Sequence, residues 1–206
     1  DQDDALLATF FAVDNATGTI TLTDAGAENL DYERMPNYTL SVVVHDNGIP
    51  SGECVRRYKS TTALATVLIN DVNEPPYFTT ANFTLSIDEN EAAGTSVGSL
   101  GWDDPDRGQM HYFGDSVGGE QGQVLSSDAD ALQAFEFLDS LSETIVTKAA
   151  LNFEYKPSYD FKVSIRDEQG LTNTANVAVT VVDTNDPPTV IDPLTIRVPE
   201  NYLGNI

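Results

Sequence analysis

The residues of this chain that could do chemistry are its carboxylates, and they recur at fixed spacing. Leu30-Asp-Tyr-Glu33 returns as Leu151-Asn-Phe-Glu154, and an aspartate stands 13 positions past each glutamate, at Asp46 and Asp167. Asp71-Val-Asn-Glu-Pro-Pro76 returns 112 positions later as Asp183-Thr-Asn-Asp-Pro-Pro188. Near the first Pro-Pro step the sequence offers Asp31, Glu33, Asp71, Asn73 and Glu74, then Asp104-Pro-Asp106 and, after a strand, Asp167. Gathering such groups is unfavourable without a cation. Two like charges 4 Å apart repel by roughly 1 kcal/mol in water and about 4 kcal/mol at an effective dielectric of about 20. Oxygen donors with side-chain amides and no soft ligand specify a hard cation, and calcium suits them better than magnesium. It accepts about 6–8 oxygens in irregular geometry, carbonyls included.

The same acidity excludes other classes. There are 33 acidic and 10 basic side chains among 206 residues, a net charge of −23. Phosphate contacts need Lys and Arg, so neither nucleic acid nor anionic lipid is an expected partner. No apolar run approaches the roughly 20 residues of a membrane span, and no signal peptide opens the chain. A hydrophobic content of 40% is too high for a disordered acidic tail. The single cysteine, Cys54, excludes an internal disulfide and a Cys-built zinc site. Asp104-Pro-Asp106 is no EF-hand loop, because the glycine and glutamate of that loop are missing and no helices flank it. A glycosidase would need one special carboxylate pair, whereas these carboxylates sit in repeated motifs. No nucleophile elbow or phosphate-cradling glycine loop occurs, and His45 and His111 read as lone surface or strand residues, so no enzyme is expected.

The elements that must position the carboxylates are strands. Phe83, Leu85 and Ile87 alternate with polar residues, as do Tyr159, Phe161, Val163 and Ile165, and Val177, Val179 and Val181. Residues 38–44 and 63–69 are apolar runs rich in β-branched side chains. Asp14-Asn-Ala-Thr-Gly18 and Asp167-Glu-Gln-Gly170 read as hairpin turns, and residues 128–135 as one short helix. Leu85-Ser-Ile-Asp-Glu-Asn90 recurs 111 positions on as Ile196-Arg-Val-Pro-Glu-Asn201. The first copy carries nine extra residues between Asp46 and Asp71, a lengthened loop that includes Cys54. Proline ends a central strand, so the Pro-Pro steps mark boundaries. The expectation is a repeat at 1–75 lacking its N-terminal part, a complete repeat at 76–187 and the first strand of a third at 188–206.

This set of motifs resembles the extracellular cadherin repeat. The family's linker pattern Asp-x-Asn-Asp-Asn matches Asp71-Val-Asn-Glu-Pro75 and Asp183-Thr-Asn-Asp-Pro187. Its Leu-Asp-Arg-Glu matches the motifs at 30–33 and 151–154, its strand-A Glu-Asn matches Glu89-Asn90 and Glu200-Asn201, and its Asp-x-Asp matches 104–106. The resemblance covers essentially the whole chain. It implies an all-β fold of tandem seven-stranded Greek-key β-sandwiches, immunoglobulin-like in architecture and joined end to end.

It also implies about three calcium ions at each complete junction. At the first, Asp31, Glu33, Asp71, Asn73 and Glu74 would ligate by side chain and Val72 and Pro75 by carbonyl, with Asp104, Asp106, Asp167 and the Met110 carbonyl above. At the second, Glu89, Asn152 and Glu154 would join Asp183, Asn185 and Asp186, with Thr184 in the place of Val72. Both linkers are one residue shorter than the family form, Glu74 and Asn152 replace aspartates, and Trp102 replaces a small residue.

The function so implied is a calcium-dependent extracellular adhesion module, in the ectodomain of a cell-surface protein. Calcium would stiffen a rod for homophilic or heterophilic adhesion. The alternative is a non-adhesive repeat of an extracellular filament or spacer. Partners would be the neighbouring repeats of the same chain and cadherin-type proteins in cis or in trans, without direct membrane insertion by this segment. Three sequons, at Asn15, Asn37 and Asn82, make glycosylation candidates, although about two would arise by chance at this composition.

Overall fold

The computed structural model describes residues 4–48, 58–114, 122–188, 197 and 200 of the chain. In chain order the elements are α1 (Asp4–Phe10), β1 (Phe11–Val13), β2 (Ile20–Leu22), α2 (Asp24–Asn29), β3 (Asn37–His45) and β4 (Ser60–Leu68). Next come β5 (Tyr77–Phe78), β6 (Asn82–Asp88), β7 (Ser96–Ser99), β8 (Trp102–Asp103) and β9 (Tyr112–Phe113). Last are α3 (Ala129–Ala134), β10 (Phe135–Phe137), β11 (Thr144–Thr147), β12 (Ser158–Arg166) and β13 (Thr172–Val182). They form two compact units. One holds Asp1–Thr79, Trp102–His111 and Ile165–Asn173; the other holds Thr80–Gly101, Tyr112–Ser164 and Thr174–Ile206.

The second unit is a β-sandwich. One sheet runs β10-β11-β7 and the other β6-β13-β12-β9, seven strands among the described residues. Period-2 alternation dictates its core. Tyr159, Phe161 and Val163 of β12 and Val177, Val179 and Val181 of β13 all turn inward and are buried. Phe135 stacks on Phe161 at 5.2 Å and meets Tyr159 edge-on at 5.1 Å, while Phe113 lies 5.6 Å from Phe137. Each such side chain contributes about 1.5–3 kcal/mol by leaving water. The helix expected at 128–135 is α3, and the Asp128 carboxylate caps it by accepting from Asp130 N–H at 3.0 Å.

In this unit β13 and β6 pair in parallel from Asn176↔Asn82 to Val182↔Asp88. That register delivers Glu89 beside the residues that follow β13, and Glu89 N–H donates to the Val182 carbonyl at 3.0 Å.

Among its described residues the first unit shows three two-stranded pairings, β1-β2, β3-β4 and β5-β8. Asp14 to Gly18 forms the expected turn of β1-β2, with Gly18 at φ 71°. Gly170, at φ 97°, does the same between β12 and β13. Phe10, Tyr38 and Leu40 are buried, and Tyr38 meets Phe10 and Phe11 edge-on at 6.2 and 5.6 Å. Helices α1 and α2 were not expected from the sequence. Thr23 starts α2, its hydroxyl accepting from Gly26 N–H at 3.0 Å. The lengthened loop with Cys54 and most of the expected third repeat lie outside the described residues.

Candidate metal centre

Two pairings assemble the first acidic cluster, all of it in the first unit. Antiparallel β5-β8 opposes Tyr77 to Asp103 and Phe78 to Trp102. Continuing that register backwards from β5 and forwards from β8 brings Glu74 opposite Asp106. Glu74 N–H indeed donates to Asp106 Oδ2 at 2.7 Å. Antiparallel β3-β4 does the rest. Asn37 opposes Leu68, and Ile69 N–H donates to the Pro36 carbonyl at 2.9 Å, so the turn before β3 lies beside the segment after β4. Glu33, Asp71 and Asp106 thereby bring a carboxylate oxygen each within 4.8 Å of one another. Asp31 accepts from Arg34 N–H at 2.8 Å, which shapes the turn carrying Glu33.

The remaining expected residues of this cluster are tied by hydrogen bonds. Asn73 Nδ2 donates to Asp167 Oδ2 at 2.7 Å. Asp104 Oδ1 accepts from Asp106 N–H at 2.8 Å. Asp104, Asp106 and Asp167 are all buried, as acidic side chains seldom are without a partner. Val72 and Met110 are exposed.

Electrostatics record the crowding. The Glu74 carboxyl is pushed above its ordinary pKa by burial first, then by Glu33, Asp106, Asp31 and Asp71. Burial pushes Asp167 up as well. In its case the Asn73 amide and the N–H groups of Leu171, Gly170 and Gln169 outweigh burial, and the net shift is down.

The second cluster lies in the second unit. Glu89, Glu154 and Asp186 bring carboxylate oxygens within 4.8 Å. Glu89 is buried, but backbone donors serve both its oxygens, Phe153 N–H at 2.9 Å and Thr184 N–H at 2.9 Å. Those two bonds hold its pKa below the ordinary glutamate value. Asn90 Nδ2 donates to Asp186 Oδ1 at 2.8 Å. Asn152 accepts from Tyr155 N–H at 2.7 Å, the counterpart of the Asp31 bond, while Asp183 and Asn185 are exposed.

Two residues enter the first cluster that the sequence did not single out as members. Gln109 Nε2 donates to Asn73 Oδ1 at 2.6 Å. His111, expected at the surface or in a strand, is half-buried just before β9, with Nε2 2.6 Å from Asp104 Oδ2. Glu33, Asp71, Asp103, Asp104, Asp106 and Gln109 line one polar cleft. The Gln109 Oε1 is buried and has no hydrogen-bond partner among the described residues. An orphaned amide oxygen among carboxylates, in an all-oxygen donor set, fits a hard cation of the calcium type.

Comparison with known proteins agrees with this reading of the fold. The family description "Cadherin domain" matches residues 83–182. Protein dachsous of Drosophila melanogaster is 31% identical over 192 residues, 93% of this chain and 5% of that protein. Human protocadherin Fat 4 is 29% identical over 202 residues, 95% of this chain and 4% of that protein. The chain thus spans a few per cent of these relatives. Among solved structures, mouse cadherin-23 EC22-24 superposes with a TM-score of 0.62 at 26% identity, covering 85% of this chain and 50% of that one. Extracellular cadherin domains 3-6 of protocadherin gamma B2 give 0.63 at 24% identity, covering 89% and 41%, a likeness of fold. Residues 83–182 are a cadherin domain, and the chain that carries them belongs with the extracellular cadherin repeats.

Proposed function

We propose that this chain is a calcium-dependent extracellular adhesion module, in which cations held by the segments around 71–76 and 183–188 stiffen the connection between successive repeats. The observation that carries the reading is the gathering of Glu33, Asp71 and Asp106 within 4.8 Å, with the Glu74 N–H bonded to Asp106 beside them. Carboxylates so placed repel until a divalent ion neutralises them. The ligand set is the one the sequence offers at the first junction: Asp31, Glu33, Asp71, Asn73, Glu74, Asp104, Asp106 and Asp167 by side chain, with the Val72, Pro75 and Met110 carbonyls. The repeat boundaries proposed are those at 75/76 and 187/188. Among the described residues no helix is long and apolar enough to cross a membrane. The domain match and the relatives support an extracellular place and partners of cadherin type. Asn15, exposed in the β1-β2 turn, is the glycan acceptor proposed ahead of Asn37 and Asn82. Extracellular calcium modules bind at about 10⁻⁴–10⁻³ M. At ten times the dissociation constant one site stabilises the bound state by only about 1.4 kcal/mol, so stiffening requires several coupled ions. Small-angle scattering tests it. The maximum dimension should increase and its spread narrow in millimolar calcium relative to chelator; identical profiles would refute the stiffening.

A further inference from the structure

We infer that His111 is a positioning residue for the first acidic cluster, fixing the Asp104 carboxylate in the orientation in which it meets a cation; this rests on the calcium reading above. The imidazole Nε2 lies 2.6 Å from Asp104 Oδ2, and the two side chains are only 8% and 3% exposed. A carboxylate oxygen accepts, so Nε2 carries the proton and donates. The neutral Nε2–H tautomer and the imidazolium both do this, so the contact needs no particular charge state. Asp104 Oδ1 is held at the same time by Asp106 N–H at 2.8 Å. Both oxygens are therefore oriented before any ion arrives, and each keeps a free lone pair, because a carboxylate oxygen offers two.

The imidazole is itself braced. The Trp102 ring lies 4.4 Å from it, centroid to centroid, at 45°. Trp102 is in turn fixed by β-pairing to Phe78, in the β5-β8 register that carries Glu74 to Asp106. The unusual tryptophan of the sequence thus supports the histidine, and the histidine supports the ligand. Outer partners of this kind typically change metal affinity about 10–100-fold when removed, because they set the direction and basicity of the ligand.

The test is calorimetric calcium titration of the intact chain beside His111→Phe and His111→Gln. Phenylalanine keeps a ring against Trp102 and loses the donor; glutamine places an N–H near the position of Nε2. The expected result is an affinity about tenfold weaker for His111→Phe, largely restored in His111→Gln, with thermal unfolding of His111→Gln in chelator close to that of the natural chain. Restoration by the donor separates positioning from mere packing. Equal calcium affinity in all three proteins would overturn the inference, and so would a His111→Gln protein that unfolds normally yet binds as weakly as His111→Phe. Should His111→Phe not fold, His111→Gln alone decides, with near-natural affinity expected and a tenfold loss refuting. Absence of any calcium heat in the natural chain would instead refute the calcium reading itself.

Discussion

The two acidic clusters are written in nearly the same motifs and differ in how individual carboxylates are held. Around the first, Glu74 is pushed up by burial and four neighbouring carboxylates. In the second, Glu89 is held down by the Phe153 and Thr184 N–H groups. A carboxylate can thus be held down by hydrogen-bond donors even where burial opposes it, as Glu89 and Asp167 are, whereas Glu74, set among like charges, is not. The ribbons differ as well. In β12-β13 the inward residues Tyr159, Phe161, Val163, Ile165, Val177, Val179 and Val181 are buried, whereas on the face of β3 that buries Tyr38 and Leu40, Val44 is largely exposed. Similar alternating patterns therefore yield different burial according to what covers them.

The largest effect should come from the ribbons and their cores. Phe137, fully buried, should cost about 3–5 kcal/mol as Phe137→Ala. Leu64→Ala, at a residue 73% exposed, should stay within about 0.5 kcal/mol. Chemical denaturation measures both, and a large cost at Leu64 would show that its face is covered in solution. Next comes Asp106→Asn, which removes a charge shared by Glu33 and Asp71; calcium affinity at the first cluster should fall about 100-fold by calorimetry. A smaller change is expected of Asn152→Asp. Asp31 makes the same turn bond to Arg34 N–H that Asn152 makes to Tyr155 N–H, so the fold should tolerate the aspartate. The added charge should tighten the second cluster about tenfold. No change there would mean that residue 152 contributes only its turn.

The smallest effect concerns Lys156 and Asp128, which form a direct ion pair. The Asp128 carboxyl is held below its ordinary pKa, first by the Lys156 hydrogen bond and then by Asp130 N–H. Lys156 is held above its ordinary value, first by Asp128. A lowered carboxyl contributes stability above its unfolded value, near pH 3.9, and loses it as pH falls through the lower folded value. A raised ammonium contributes below about 10.4 and loses it as pH rises through the folded value. The melting-temperature gap between the natural chain and Asp128→Asn should therefore be widest between those limits and close in acid. A gap that widens in acid would contradict the pairing.

The strands were legible because burial on one face forces a period of two, as Tyr159 to Ile165 and Val177 to Val181 show. Helix α2 was not. It has six residues, too few for a helical period, with a glycine inside, and only its Thr23 cap gives it away. The carboxylates were legible because their spacing repeats. His111 and Gln109 were not, because they stand in none of the repeated motifs, and only their contacts with Asp104 and Asn73 tie them to the cluster.

The most direct measurement is terbium luminescence sensitised by the single tryptophan. Trp102 packs on His111, which bonds Asp104, so a lanthanide in the first cluster lies near the indole. Excitation at the red edge of the tryptophan band should give terbium emission that calcium displaces, that Asp106→Asn abolishes and that Glu154→Gln leaves intact. Emission lost in Glu154→Gln and unchanged in Asp106→Asn, or no sensitised emission at all, would contradict a hard-cation site at the first cluster.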